Sequence, residues 1–194
     1  MPKLSKKRKK TTKKSVSSHR PVVVAVSGFF NPLHVGHLDM INKAKKLGDQ
    51  LVVIINNDKQ VKLKNRVPFM PEADRMKIVA ALRGVDKVVL AVDDYRWPNG
   101  EIPCIKTLAK VHPDIFANGG DRHNVNDVPE YDICQKLHIK MVDGLGKKIR
   151  ASSELIANAK KYEAELRAAQ LKSVPLPVKS VSAKPTRHSC GCCQ

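Results

Sequence analysis

The chain has 194 residues, of which 42% are hydrophobic, and carries a formal net charge of +18. This length suffices for one hydrophobic core, so a single domain is the default expectation. No apolar run approaches the roughly 20 residues of a membrane-spanning helix and no secretory signal opens the chain, so we expect an intracellular, cytoplasmic protein without a transmembrane segment.

The positive charge is concentrated at the two ends of the chain. Residues 1–20 contain nine Lys/Arg and no Asp/Glu, and residues 171–194 contain four Lys/Arg and no Asp/Glu. The remaining residues, 21–170, have a net charge of only +5. The polybasic stretch 1–20 has almost nothing to bury, which predicts a disordered tail. Such tails contact nucleic acid or an anionic membrane, or act as a nuclear address. A solvated tail without a partner is an equal alternative.

A buried strand followed by a helix opens the rest of the chain. Residues 22–26 form an apolar, largely β-branched run, which is typical of a strand in a parallel sheet. Apolar residues then recur at helical spacing as far as Gly48, which would end the helix. Between the two lies Ser27-Gly28-Phe29-Phe30-Asn31-Pro32-Leu33-His34-Val35-Gly36-His37. His34 and His37 are therefore expected in the first turn of this helix.

A helix start of this composition is suited to phosphate. Its unpaired N–H groups and the positive end of its dipole favour an anion, and Gly36 would let a phosphate approach the backbone. His34 and His37 would share one face. As protonated or hydrogen-bond-donating rings, they would stabilise charge on transferring phosphoryl oxygens. The pattern His-x-Gly-His also arises by chance, with the histidines as caps or surface residues.

Strands and helices continue to alternate along the chain. Strands are predicted at 51–56, 87–92, 114–118 and 139–142, and helices at 71–83, 101–111, 129–137 and 152–171. We therefore predict an α/β fold, a Rossmann-like doubly wound sheet of five parallel strands with helices on both faces, in a domain spanning 21–171. Ligands of such sheets bind where the strand order reverses, at the carboxyl ends of the strands. The loops 28–37, 56–68, 93–100, 118–128 and 143–153 would lie there.

Several features outside the histidine segment remain open. The second loop crowds Lys59, Lys62, Lys64 and Arg66 together, either as a solvated basic loop or to neutralise a triphosphate. Trp97 would stack on a ligand or pack under its loop. Residues 172–194 are predicted to be a second disordered tail, rich in Pro and Ser, whose cysteine-rich end would bind a metal, be acylated or stay unmodified.

Residues 22–122 resemble the HxGH nucleotidyltransferase superfamily and its cytidylyltransferase-like members. The chain is similar to glycerol-3-phosphate cytidylyltransferases and to the adenylyltransferase domain of bacterial heptose-phosphate activating enzymes. The matching landmarks are Phe30 to His37, Leu47-Gly48-Asp49, Lys62-x-Lys64, Ala73-Asp74-Arg75, Val85-Asp86, Pro113-Asp114 and Gly119-Gly120-Asp121.

The resemblance implies the reaction and its participants. A nucleoside monophosphate would pass from CTP or ATP to a small phosphorylated acceptor, with release of pyrophosphate. Mg²⁺ would be carried by the nucleotide, with no metal site formed by the protein. Relatives of this type are often dimers, so a homodimer is expected. A class I aminoacyl-tRNA synthetase fragment is excluded by size, since no anticodon-binding region would fit.

The resemblance also implies site residues. The catalytic residues would be His34, His37 and Lys62. The nucleotide-binding residues would be Gly28, Phe29, Phe30, Gly36, Lys64, Gly119, Gly120, Asp121, Arg122, Arg150, Ser152 and Ser153.

Two departures from the pattern bear on activity. Asn31 stands where these families usually have Asp. Residues 146–153 retain only the serine pair of the segment Arg-Thr-x-Gly-Ile-Ser-Thr-Ser that cytidylyltransferases carry before the last helix. The alternative function is therefore a catalytically weakened nucleotide-binding protein whose polybasic tail binds nucleic acid or an anionic membrane.

Overall fold

The computed structural model describes residues 20–119, 128–145 and 149–173, with side chains as far as residue 170. The expected tails therefore lie almost wholly outside the described residues, and so do the predicted site residues Gly120, Asp121 and Arg122. The chain divides into the units Met1–Ser152 and Ser153–Gln194. No helix in the described ranges is long and apolar enough to cross a membrane.

Five parallel strands form one sheet in the order β3-β2-β1-β4-β5. They are β1 (Val23–Gly28), β2 (Gln50–Ile55), β3 (Lys87–Leu90), β4 (Ile115–Gly119) and β5 (Lys140–Leu145). The central strand β1 pairs with β2 and β4, so that Val26 lies between Val53 and Ala117. The predicted sheet is confirmed, and its strand order reverses between β1 and β4, which is where a ligand crevice is expected.

Helices cover both faces of this sheet. They are α1 (Val35–Ala44), α2 (Asp58–Leu63), α3 (Glu72–Ala80), α4 (Ile105–Val111) and α5 (Tyr131–Lys136). Ile41 of α1 and Val79 of α3 belong to the core on one face, whereas Leu108 of α4 and Cys134 of α5 belong to the core on the other. The last helix, α6 (Ser152–Ser173), makes up the described part of the second unit, and its side chains 157–170 are exposed.

One helix was not predicted. The basic segment after β2 was expected to be a loop, but residues Asp58–Leu63 form α2. The Asn57 side chain accepts a hydrogen bond from the Gln60 backbone N–H (2.8 Å), and the Gln60 side chain accepts one from the Asn57 N–H (3.1 Å). This reciprocal cap satisfies N–H groups at the helix start. The prediction was wrong because it considered only the charge of the segment and not the helix-start pattern of Asn57 followed three residues later by Gln60.

Tertiary contacts also shift the ends of other elements. The helix predicted at 101–111 begins only at Ile105, because the buried Asp93 carboxylate accepts the N–H groups of Lys106 (2.8 Å) and Thr107 (3.0 Å). Smaller shifts affect four other elements. The helices predicted at 71–83 and 129–137 span Glu72–Ala80 and Tyr131–Lys136, and the strands predicted at 87–92 and 139–142 span Lys87–Leu90 and Lys140–Leu145. Such ends depend on hydrogen bonds to distant residues, which sequence periodicity does not encode.

Candidate active site

A stacked histidine pair occupies the start of α1, at the carboxyl end of β1. His34 is the N-cap residue, with extended backbone, and its N–H donates to Nδ1 of His37 (3.3 Å). The two rings stack with their centroids 3.8 Å apart. Because Nδ1 of His37 accepts this hydrogen bond, the neutral ring carries its proton on Nε2, where it can donate to a phosphate oxygen.

His37 is neutral at physiological pH. Burial, followed by the positive charge of His34, lowers the pKa of His37 from 6.5 to about 3. The sequence left open whether the histidines act as cations or as neutral donors. For His37 the structure favours the neutral donor, whose hydrogen bond strengthens as negative charge develops on the oxygen that accepts it.

Two of the predicted glycines make room for aromatic rings of the site itself. A Cβ atom at Gly36 would lie 3.1 Å from the His34 ring, and one at Gly28 would lie 3.0 Å from the Phe30 ring. Phe30 is fully buried, and its ring centroid is 4.6 Å from that of His37. The Phe30 side chain therefore supports His37 from the core side and does not face a ligand.

The predicted basic residues approach the same loop from α2. Lys62 and Lys64 are both exposed, in the last turn and at the C-cap of this helix. The Nζ atom of Lys64 lies 4.5 Å from the centroid of the Phe29 ring. Lys64 is thus beside the segment that leads from β1 to the histidine pair, in a position to meet an anion bound there.

A buried arginine holds these segments together. Arg75 of α3 is fully buried and donates to the carbonyl oxygens of Phe29 and Asn56 (both 2.7 Å), at the carboxyl ends of β1 and β2. It also forms an ion pair with Asp58 at the start of α2 (2.5 Å). Arg75 was one of the landmarks of the resemblance, but no role was predicted for it. The available signal was an arginine four residues before Val79, on the apolar face of α3.

The segment before α6 closes another side of the site. The hydroxyl group of Ser152 donates to the Pro32 carbonyl (3.0 Å), and a Cβ atom at Gly36 would lie 3.5 Å from the Arg150 carbonyl oxygen. Gly119 ends β4, and a Cβ atom there would lie 3.5 Å from Sδ of Met40 on α1. Ser153 is exposed and belongs to the second unit.

An open cleft that the sequence did not predict lies at this same edge of the sheet. It measures about 360 Å³ and is lined by Trp97, Asn99, Glu101, Val128, Pro129, Tyr131 and Asp132, from the loops after β3 and before α5. Nη1 of Arg96 donates to the Leu63 carbonyl (3.3 Å), which connects the cleft to α2. Only Trp97 was singled out from the sequence, since the others come together through folding alone.

The cleft is acidic, although the chain as a whole is strongly basic. Behind its lining, Asp93 and Glu130 are buried, and Glu130 accepts hydrogen bonds from the Cys104 backbone N–H (3.0 Å) and thiol (3.3 Å). Burial, together with the negative charges of Asp93 and Glu130, raises the pKa of Tyr95. This edge of the sheet therefore offers cationic or donor groups at the histidine pair and acceptor groups with aromatic walls at the cleft.

Comparisons with known proteins identify the family of the chain. The family model for cytidylyltransferase-like proteins matches residues 25–142. The chain is 39% identical over 108 residues to the FAD synthase of Pyrococcus abyssi, a match covering 55% of this chain and 68% of that relative. For the FAD synthases of Ferroglobus placidus and Thermoplasma acidophilum, identities are 39% over 100 residues and 34% over 116. These matches cover 52% and 60% of this chain and 60% and 73% of the relatives.

A solved structure shares the fold. The crystal structure of the lipopolysaccharide core biosynthesis protein from Thermoplasma volcanium superimposes with a TM-score of 0.51 at 28% sequence identity, covering 64% of this chain and 96% of that one. The resemblance drawn from the sequence is confirmed. The chain belongs to the cytidylyltransferase-like family and is a nucleotidyltransferase.

Proposed function

We propose that the protein transfers AMP from ATP to flavin mononucleotide, producing FAD and pyrophosphate. The relatives named FAD synthase support ATP and a flavin phosphate as the substrates. A phosphate oxygen of the flavin mononucleotide attacks the α-phosphorus of ATP. The bond from that phosphorus to the bridging β-phosphate oxygen breaks, and pyrophosphate leaves with its electron pair. Since a phosphate monoester is already anionic at neutral pH, the attack needs no general base.

The stacked histidine pair is the observation that carries this proposal. His37 is neutral and has a donor at Nε2, which suits it to stabilise the negative charge that grows on the α-phosphate oxygens. His34, stacked on it, is proposed to act on the same phosphate. Lys62 and Lys64 would neutralise the phosphates, and Gly28, Phe29, Gly36, Gly119, Arg150 and Ser152 would surround the nucleotide. The predicted contacts of Gly120, Asp121, Arg122 and Ser153 stay predictions.

Magnesium enters this proposal as part of the nucleotide. Within residues 20–119, 128–145 and 149–173, no three His, Cys, Asp or Glu side chains are placed to hold a metal ion. In this proposal the ion belongs to the ATP substrate, and no step above depends on a protein ligand to it.

The cleft lined by Trp97 and Tyr131 is the proposed binding site for the flavin ring of the acceptor substrate, flavin mononucleotide. Trp97 and Tyr131 offer aromatic walls, and Asp132 offers an acceptor for the N–H group of the flavin ring. Its negative charge disfavours phosphate, so the acceptor would orient with its ring in the cleft and its phosphate toward the histidine pair and Lys64. Trp97 is the only tryptophan of the chain. Quenching of tryptophan fluorescence by flavin mononucleotide therefore reports binding at the cleft directly.

The same cleft favours one second candidate. Aromatic walls with acidic neighbours also suit a quaternary or primary ammonium group. The chain would then be a cytidylyltransferase acting on CTP and an amino-alcohol phosphate.

Pyrophosphate release with each NTP, measured with flavin mononucleotide, phosphocholine, phosphoethanolamine and glycerol 3-phosphate, separates the candidates. We expect release with ATP and flavin mononucleotide. His34→Ala and His37→Ala should each lower turnover by about 100-fold or more while the fold survives. The control is His138→Asn, an exposed position at the opposite edge of the sheet, where turnover should not change.

Near-normal turnover in the His37→Ala variant would contradict the proposed mechanism. Release only with CTP and an amino-alcohol phosphate would favour the second candidate. Nucleotide binding without any release would favour the weakened nucleotide-binding protein. Retention of the chain on nucleic acid or anionic vesicles, with and without residues 1–20, then tests the proposed tail.

A further inference from the structure

The segment from Lys64 to Met70 combines a fixed backbone with exposed side chains. The Asn31 side chain donates from Nδ2 to the Val67 carbonyl (3.2 Å), and its Oδ1 accepts from the N–H groups of Phe69 (2.6 Å) and Met70 (3.2 Å). Yet Val67 is 81% exposed and Phe69 61%. Apolar burial therefore contributes little to holding this segment in place.

The hydrogen bonds that hold the segment come from beneath it. Asn31 is only 4% exposed, so its bonds to the segment are shielded from water and costly to leave unmade. Nε of Arg75 adds a bond to the Met70 carbonyl (3.1 Å). The fold thus presents an ordered strip of backbone at the surface without using it to build the core, which is typical of loops that contact a ligand.

Asn31 is close in the sequence to the residues of the histidine pair, so the strip is attached to the segment that carries them. Asn31 follows Phe30, whose ring supports His37, and precedes His34 by three residues. The strip begins at Lys64, whose Nζ atom lies over the Phe29 ring. One side chain therefore joins the segment carrying the histidine pair to residues 67–70, which follow the turn that ends α2 at Lys64.

An amide is required for this link. An aspartate at position 31 would still accept from the Phe69 and Met70 N–H groups, but it has no donor for the Val67 carbonyl, and its charged oxygen would face that carbonyl. The end of the strip nearer to Lys64 would be released, while the end at Met70 stayed bound.

We propose that Asn31 is a positioning residue whose side-chain amide fixes the strip 64–70 against the histidine segment and thereby places the Lys64 ammonium group for the substrate phosphates. This inference rests on the phosphate site proposed above. It assigns Asn31 no contact with the substrate. Asn31 affects the reaction only by setting the position of the Lys64 ammonium group.

The first test is limited proteolysis of the full chain carrying Asn31→Asp. Arg66 is exposed and precedes Val67, so trypsin can cut there once the strip opens. We expect cleavage after Arg66, identified by mass, to be faster by about tenfold or more, because one buried hydrogen bond is lost and a repulsive contact replaces it. Asn42→Asp on the exposed face of α1 makes the same chemical change and should leave this cleavage rate unaltered.

The second test separates positioning from general loss of structure. Asn31→Asp should raise KM for ATP by about tenfold and change kcat much less, as expected when a uniform phosphate contact is weakened. Lys64→Ala should give the same KM effect without faster cleavage after Arg66. In the double variant the KM effects should not add, because both changes remove one interaction.

Two results would overturn the inference. If cleavage after Arg66 in Asn31→Asp matches that of Asn42→Asp, the amide does not fix the strip. If the KM effects of Asn31→Asp and Lys64→Ala add fully, the two residues act independently. Neither result depends on the histidine pair, whose role is decided by the His37→Ala measurement, so the proposed reaction can fail or stand separately.

Discussion

Replacing Arg75 by methionine tests whether one buried guanidinium group organises the site. Methionine has similar length and no donors. The variant loses the bonds to the Phe29 and Asn56 carbonyls (2.7 Å each), the bond to Met70 (3.1 Å) and the ion pair with Asp58 (2.5 Å). All four contacts lie at the junction of β1, β2, α2 and the strip 64–70, so the change affects the segments that lead to the histidine pair and carry Lys62 and Lys64.

The expected loss of stability is large. Removing one partner of a buried ion pair costs about 3–5 kcal/mol. The Asp58 side chain is 30% exposed and keeps part of its hydration, so the lower part of that range applies. We expect the free energy of unfolding to fall by about 3–4 kcal/mol, which lowers Tm by roughly 6–16 °C for a domain of this size.

Urea denaturation followed by circular dichroism measures this loss. The matched control is Arg83→Met, at an exposed position just after α3, which should change the unfolding free energy by less than about 0.5 kcal/mol. A loss below about 1 kcal/mol for Arg75→Met would refute the reasoning, because it would mean that the carbonyl oxygens and Asp58 find other partners at little cost.

Three further predictions concern single groups. The pKa of His37 is about 3 in the folded chain and 6.5 in the unfolded chain. Between pH 3 and pH 6.5 the unfolded chain therefore binds more protons than the folded chain. Stability should therefore fall as pH drops from 6.5 towards 3, by up to about 1.4 kcal/mol per pH unit, and His37→Gln should lack this slope in denaturation series. Cys104 and Cys134 are buried with raised pKa values, about 12 for Cys134, so mass mapping after thiol alkylation should find them unmodified until the chain unfolds. Asn57→Ala removes the α2 cap and two bonds to the carbonyls of Ala91 and Asp93 (2.8 and 2.9 Å), which should cost about 2–3 kcal/mol in thermal denaturation.

The fold was predictable because its signals are local. An apolar, largely β-branched run such as Val23 to Val26 favours a strand buried on both faces, and the alternation of strands and helices then indicates a parallel sheet. The end of α4 at Val111 was predicted correctly, but its start at Ile105 was not predictable. The start depends on Asp93, which lies twelve residues before the helix and reaches the N–H groups of its first turn only after β3 and α4 have packed together.

The candidate site was predictable in part for the same reason. The histidine pair, the two glycines and Lys62-x-Lys64 are short motifs whose spacing already carries chemical meaning. The amide link from Asn31 and the cleft between Trp97 and Tyr131 join residues 34 or more positions apart. No local pattern marks such pairs, since each residue alone resembles an ordinary loop residue.

By itself, the sequence determined the class of fold, and it predicted a ligand edge of the sheet and phosphate chemistry at the start of α1, because each inference follows from periodicity or from groups close together in the chain. The tertiary structure alone decided that His37 is neutral and that Arg75 joins the segments of the site. It also decided that the cleft is acidic within a basic protein. Protonation, burial and local potential depend on which distant groups surround an atom, and only the folded chain brings those groups together.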